Sequence, residues 1–560
     1  MNGAIEHENR PRGGPSLWLG GLLGGITSLP LIALLYLGSK VAGLPFVPFD
    51  LFDWLARVLP GSVINIGIDS MVRLISSLGL GPISATAKTL EQTAGVLLVI
   101  AGGVVVGVLM ALGIRRTKWS GTTIGSALGA LAFLVVAAVE FSLRTGISGD
   151  EAVALLWLAV VIVGWGTFLG AWLIAPALSA APEGYSASRR ALLIKLAGGS
   201  IGVAVLATGL GRFLELEQQA SGAGQALSTL GATPPPGTNV PSGAPTVVIT
   251  PTPLAVETAQ ATERERVPAA PGTRPDLTPN QNFYRIDIDT IPPIIEGGSW
   301  KLAVTGLFER PRDLTLSDLL AYPPITQPVT QACISNPVGG DLIGTTNYTG
   351  ARLRDVVQDL GMRPQADALY IQSADGFYET VVMQDIMDPR TLLVYGMNGV
   401  TLPIEHGFPL RISIPNRYGM KQPKWMTSMQ AIDHNASGYW VDRGWSPTAY
   451  PQILSMIDTV ATSHVENGRV PVGGIAWAGD RGIKKVEVQV DKGPWAAATL
   501  RTPPLGPLTW VQWRYDWPLV RGNHTFTVRA TDGTGALQIE TPQDTFPNGA
   551  TGYNSVGVTI

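Results

Sequence analysis

Cysteine is almost missing from this chain: 560 residues hold one, Cys333. A single sulfur makes no internal disulfide and builds no four-cysteine zinc or iron–sulfur site alone. The plain reading is a buried thiol behaving as a small hydrophobe. Charge is scarce as well. Asp, Glu, Lys and Arg make up 14% of the residues, the formal net charge is −3 and the mean hydropathy is +0.23. Nothing there suggests a nucleic-acid partner, and so little charge at this length points to segments lying in lipid. No Gly-x-Gly-x-x-Gly or Walker sequence follows a strand-like run, so nucleotide cofactors are not expected. The five histidines are His7, His406, His434, His464 and His524. None falls in a long apolar run and no Cys-x-x-Cys-His occurs, so the membrane part is expected to act as an anchor without its own haem.

Long apolar runs are plentiful, but only in the first part of the chain. Five, at 16–38, 92–114, 121–142, 152–178 and 191–213, are each long enough to cross a bilayer as a helix. Between the first two, "FDLFDWLARVLPG" and "INIGIDSMVRLISSLGL" place apolar residues at helical spacing with a few charges, the pattern of interfacial helices. Gly103-x-x-x-Gly107 and Gly125-x-x-x-Gly129 allow close helix approach. Arg10 and Arg12, the "RRTK" of 115–118, and Arg189-Arg190 all fall on one side of a five-span topology. The positive-inside rule then puts the N-terminus in the cytoplasm and everything after residue 213 outside the cytoplasmic membrane. Ser188-Arg189-Arg190, followed by Leu192-Leu193 and Lys195, resembles a twin-arginine export signal, which serves proteins already folded around a cofactor. Glu140, with Arg144 one turn later, is expected to form an ion pair at the membrane interface.

The expected domains are a membrane region over 1–214, a Pro/Thr/Gly/Ala-rich tether over 215–278, a packed α+β domain over 279–450 and an all-β domain over 451–560. "SWKLAVTGLF" alternates like a strand, "TLSDLLAY" and "ARLRDVVQDLGM" read as short helices, and "ALYIQSADGFYETVV" as two strands around an Asp-Gly turn. Near the C-terminus, Val486, Val488 and Val490 share one face of a strand, as do Phe526, Val528 and Ala530. These short, evenly spaced strands suggest an immunoglobulin-like sandwich.

Residues 279–450 resemble the molybdopterin-binding domain of the sulfite oxidase family. The resemblance rests on "LLVYGMNGVTLPIEHGFPLRISIPNRYGMKQPKW" at 392–425, with "NFYRID", "CISN" and "SADGFY" in the expected order before it. The C-terminal part, including "VRATDGTGALQ", resembles the dimerisation domain of the same family and implies a homodimer. In this family one cysteine thiolate binds molybdenum beside the dithiolene of a single molybdopterin, and soft thiolate ligation suits such a metal. Cys333 takes that position. The resemblance further implies Mo-molybdopterin contacts from Tyr284, Arg285, Asn336, Ser373, Asp375, His406, Arg411, Lys421, Gln422 and Lys424. Arg411 and Lys424 are expected to meet the cofactor phosphate and pterin, the one as a fork and the other as a point charge. Sulfite oxidases carry two arginines after the Asn of this loop; here Pro337 and Val338 stand there. Sulfite is therefore a doubtful substrate, unless Arg417 restores the charge. The resemblance implies an oxidoreductase that moves an oxygen atom to or from a small substrate and exchanges electrons with a separate cytochrome or quinone-linked protein. Reduction of methionine sulfoxide or another S- or N-oxide is one alternative, and a cofactor-free binding or assembly protein is another.

Overall fold

The computed structural model describes residues 15–143, 151–173 and 266–560. Arg144, the 191–213 run, the twin-arginine stretch and most of the tether lie outside them. The described residues group into two bodies. One takes those within Met1–Val58 and Lys88–Ala223, with Asp289–Ile291; the other takes Leu59–Ala87, those within Gly224–Ile288, and Pro292–Ile560.

Among the described residues six helices come first: α1 (Leu17–Ala42), α2 (Val47–Val58), α3 (Gly61–Leu78), α4 (Ile83–Arg116), α5 (Gly121–Leu143) and α6 (Glu151–Leu173). Among them α1, α4, α5 and α6 are long and apolar enough to cross a membrane. α4 starts well before the expected residue 92, because "ISATAKTLEQT" has good helix formers and no Gly or Pro to interrupt it. The small-residue faces pack as their spacing predicts. A Cβ on Gly24 of α1 would lie 3.2 Å from Gly107 Cα, and one on Gly129 of α5 would lie 3.0 Å from Val163 Cα of α6. Glu140 is 1% exposed, and neither of its carboxylate oxygens has a hydrogen-bond partner among the described residues.

In the second body, two five-stranded sheets support the cysteine loop. One runs β2 (Asp313–Thr315), β1 (Lys301–Gly306), β10 (Met426–Ile432), β5 (Ala368–Ser373), β6 (Tyr378–Val382), with β1 and β10 parallel. The other runs β3 (Ile325–Ala332), β4 (Ile343–Arg352), β7 (Leu392–Met397), β8 (Val400–Thr401), with β9 (Arg411–Ser413) paired to β7. Short helices fill the corners. Leu316–Leu320 starts in a capping box between Thr315 and Asp318, and Leu353–Asp359 is followed by Gly361 at φ 68°. Leu302, Val304, Leu369, Ile371, Met426 and Met429, all buried, belong to one core.

The C-terminal residues form two antiparallel four-stranded sheets. One is β11 (Leu454–Val460), β12 (Arg469–Trp477), β16 (Val511–Pro518), β15 (Thr499–Leu500); the other is β14 (Ala496–Ala497), β13 (Ile483–Val490), β17 (Asn523–Asp532), β18 (Asn554–Thr559). Val486, Val488, Phe526, Val528 and Ala530 are buried together, as their alternation predicts.

Two boundaries differ from the sequence reading. Residues 266–278, assigned to the tether by composition, lie against the second body: Asp276 pairs with Arg266 at 2.9 Å, and Arg274 pairs with Asp458 at 2.7 Å. α3, assigned to the membrane region, also belongs to that body. Its Asn65 accepts from Trp445 Nε1 and donates to Arg443 O, each at 3.0 Å, and its Ile75 is fully buried. An amphipathic helix in sequence does not declare whether lipid or protein covers its apolar side.

Candidate active site

β3 and β4 pair in register from Ile325↔Gly350 to Ala332↔Ile343, so Cys333 opens the loop that joins them. Its N–H donates to Leu342 O at 2.9 Å, extending the ladder by one bond. Asn336 braces the loop from within, because Asn336 Oδ1 accepts from Leu342 N at 2.9 Å. A Cβ on Gly340 would lie 2.6 Å from that oxygen and 2.7 Å from Pro337 Cδ, so this brace needs glycine there. Behind the loop, Ala332 and Ile334 share a core with Tyr418, Met456, Ile475 and Trp510. The C-terminal strands therefore buttress the loop.

The thiol is buried, with Sγ 3.0 Å from Ser335 Oγ, and burial pushes its pKa up. Two phenols lie close enough to feel a thiolate there. Tyr418 is pushed up to about 12, by burial first and then by Cys333; Tyr284 is raised by the same two causes in the same order. A polar network adjoins them. Gln331 sits two residues before Cys333 on β3, donates to Tyr284 Oη at 3.2 Å, and accepts from Tyr348 Oη at 3.2 Å and Arg411 Nη2 at 2.9 Å. Arg411 also donates to His406 O at 3.2 Å and lies 5.1 Å from the centre of the Tyr348 ring.

Arg411 is 2% exposed, and no carboxylate among the described residues comes within 4.0 Å of it. A buried, unneutralised guanidinium costs several kcal/mol, a cost that a bound anion removes. Burial first, then Lys424, Arg411 and Arg285, together lower His406 to about 4, with the bond to Asn280 opposing the shift. His406 Nε2 donates to Asn280 O at 3.0 Å, which leaves Nδ1 of the neutral ring as an acceptor. Asn398, in the Met-Asn-Gly turn, fixes the segment that holds it by donating to Thr278 O at 3.0 Å and Asn280 Oδ1 at 2.8 Å.

Lys424 and Arg285 share Asp287, at 3.2 and 2.7 Å. Lys424 is lowered to about 8 by burial, with Asp287 opposing the shift. The 373–377 turn joins this group, since Ala374 N donates to Trp425 O at 2.9 Å and Asp375 Oδ1 accepts from Phe377 N at 3.0 Å. Ser373 Oγ is buried with no hydrogen-bond partner. The orphan hydroxyl, the unneutralised Arg411 and the acceptor face of His406 fit an anionic, hydrogen-bonding heterocycle beside a thiolate, as molybdopterin is.

Three residues are engaged elsewhere. Lys421, expected at the cofactor, makes a buried ion pair with Glu379 at 2.6 Å. Gln422 braces its own loop by donating to Arg417 O at 3.0 Å. Arg417 forks Asp385 with two 3.0 Å bonds and lies 3.9 Å over the Tyr450 ring, so its charge is already matched. Sequence reasoning missed Gln331, Tyr348, Tyr418, Asp287 and Asn398. For Gln331 a signal existed, because residue 331 points to the same side of a strand as residue 333.

Residues 289–440 match the family described as oxidoreductase molybdopterin binding domain. A sulfite oxidase of Arabidopsis thaliana is 26% identical over 274 residues, covering 40% of this chain and 70% of that enzyme. A putative protein-methionine-sulfoxide reductase subunit of Azospira oryzae is 28% identical over 152 residues, covering 27% of this chain and 56% of the subunit. The crystal structure of the sulfane dehydrogenase SoxCD from Paracoccus pantotrophus aligns with a TM-score of 0.45 and 21% identity, over 59% of this chain and 97% of that one.

Proposed function

We propose that this chain, which belongs to the sulfite oxidase family and takes its Mo-molybdopterin cofactor, is a membrane-anchored oxidoreductase that reduces small S-oxides or N-oxides outside the cytoplasmic membrane. The observation that carries the cofactor site is the buried Arg411 guanidinium with neutral acceptors only, next to the loop that presents Cys333. When bound, the cofactor supplies two-electron oxygen-atom transfer. Cys333 offers the thiolate ligand, Arg411 and Lys424 the positive charge, and Ser373 and neutral His406 hydrogen bonds. The buried rings of Tyr284 and Tyr418 lie on the thiol's side of the site. Reducing a sulfoxide consumes two electrons and two protons and yields a sulfide and water. The electrons come from an external cytochrome or quinone-linked protein.

The reductive direction is supported by the loop after Cys333. Pro337 and Val338 bring no charge and Arg417 is neutralised by Asp385, so none of these three offers a sulfite dianion a partner. A binding or assembly protein without cofactor is disfavoured, because nothing would then offset the buried charge of Arg411. The C-terminal sheets are read as the immunoglobulin-like dimerisation domain of the family.

Topology has its own support. α3 groups with Pro292–Ile560, which supports a reading with both on one side of the bilayer. From α3 the chain crosses through α4, α5 and α6, and a return to the same side requires a fourth crossing. The apolar run at 191–213 is the candidate, which fits five spans with the N-terminus inside. Elemental analysis of purified protein, followed by a screen of sulfite against S- and N-oxides with oxidised and reduced dyes, tests the proposal. Molybdenum-free but folded protein from a molybdenum-replete host refutes the cofactor assignment, and fast sulfite oxidation without oxide reduction refutes the direction.

A further inference from the structure

α3 and Pro337 of the loop that carries Cys333 line one groove. Asp69 accepts from Thr545 Oγ1 at 3.3 Å, and just past the helix Ile83 N donates to both oxygens of Asp341, at 3.0 and 3.3 Å. Between helix and loop runs an open groove of about 620 Å³, lined by Ser70, Val72, Arg73, Leu74, Ser77 and Pro337. Asn336 N donates to Cys333 O at 3.1 Å, closing a turn, and Pro337 follows one residue on. Turn ends lie within about 7 Å and successive Cα atoms about 3.8 Å apart, which puts the Pro337 Cα within about 11 Å of the Cys333 Cα.

The lining has an apolar wall, two hydroxyls and one cation. The Arg73 side chain is 66% exposed, donates to Asp69 O at 3.3 Å, and has Asp544 at 3.8 Å as its carboxylate neighbour, itself 75% exposed. Such an exposed pair holds its partners weakly, so the guanidinium is available to a ligand. Its position complements the uncharged Pro337 and Val338.

We propose that this groove is a substrate subsite and that Arg73 binds the carboxylate of a small organic sulfoxide whose S–O group points toward the Cys333 loop. The proposal rests on the reductive reading above and adds a preference that reading lacks: a carboxylate-bearing sulfoxide over a neutral one. Val72, Leu74 and Pro337 cover the hydrocarbon between the two ends, and Ser70 and Ser77 offer hydrogen bonds along it.

The test uses the full-length holoenzyme in detergent. Steady-state kinetics compare 3-(methylsulfinyl)propionate with dimethyl sulfoxide for the wild type, Arg73→Gln and Arg73→Lys. Calorimetry measures binding of the unreactive sulfone 3-(methylsulfonyl)propionate to the same proteins. One charge-assisted contact is worth about a tenfold change or more. Arg73→Gln should raise KM for the carboxylate sulfoxide and Kd for the sulfone by about that factor, at unchanged kcat and unchanged KM for dimethyl sulfoxide. Arg73→Lys should recover much of the loss. Equal changes for both sulfoxides, or no change in sulfone binding, overturn the proposal. If neither sulfoxide is turned over but the sulfone still discriminates wild type from Arg73→Gln, the subsite stands and the reductive reading falls.

Discussion

Arg417 and Asp385 meet fork to fork inside the second body, with both nitrogen–oxygen distances at 3.0 Å. Arg417 lies in the same motif as Arg411, and the pair removes the one arginine of that segment that sequence alone left available to a substrate anion. Asp385→Ala should therefore destabilise the fold by about 3–5 kcal/mol, the usual cost of leaving one buried charge alone. Chemical denaturation of wild type and variant measures it. Replacing both partners together with apolar residues should cost less.

Sulfite should be a poor substrate for the same reason. Each missing charge-assisted contact to an oxyanion removes roughly one to two decades of affinity. Kinetics with sulfite, methionine sulfoxide, dimethyl sulfoxide and trimethylamine oxide should favour the oxides. A micromolar Michaelis constant for sulfite with no oxide turnover would show an anion site elsewhere.

One molybdenum per chain is expected, held by Cys333. Cys333→Ser should abolish turnover yet keep much of the pterin, because Arg411 and Lys424 remain. Arg411→Met should lose the pterin, as seen by fluorescence after oxidation, while the emptied protein stays folded, since the substitution also removes an unneutralised buried charge.

His406 makes a pH dependence. Its pKa falls from 6.5 to about 4 on folding, with burial as the first cause. The unfolded chain then binds more protons than the folded one between those values, so stability rises as pH rises from about 4 to about 6.5 and is flat above. At one pKa unit per about 1.4 kcal/mol, the effect is on the order of 3 kcal/mol. His406→Gln should flatten the acid side of the stability profile, read from denaturant midpoints at a series of pH values.

Reporter fusions after residues 118, 148, 186 and 230 should read inside, outside, inside and outside. A cytoplasmic reading at 230 would contradict the shared body of α3 and the catalytic residues. Arg189→Lys with Arg190→Lys keeps the charge; if the export signal is used, it should still strand the catalytic part inside.

The chemistry of the site was legible where residues sit in one ordered motif. Cys333, His406, Arg411 and Lys424 fall within or beside such stretches, and folding brings them into one neighbourhood. Gln331 and Asp287 were not legible, because their meaning lies in partners far along the chain: Tyr284 and Arg411 for the first, Lys424 for the second. Lys421 and Lys424 look alike in sequence. Glu379, 42 residues upstream, takes the first of them out of the site. α3 was read as interfacial because a helical period reports an apolar side without naming what covers it.

The chain enters the catalytic body twice, first as α3 and then again from Arg266 onward. A protease that cuts the Pro-rich stretch between 216 and 265 will split the polypeptide on a denaturing gel, yet the C-terminal fragment should stay with the membrane fraction, held by the bonds of Asn65 to Trp445 and Arg443 and by the buried Ile75. Any attempt to liberate the catalytic part by truncation will have to carry residues 59–87 with it, or leave an apolar seam open to water.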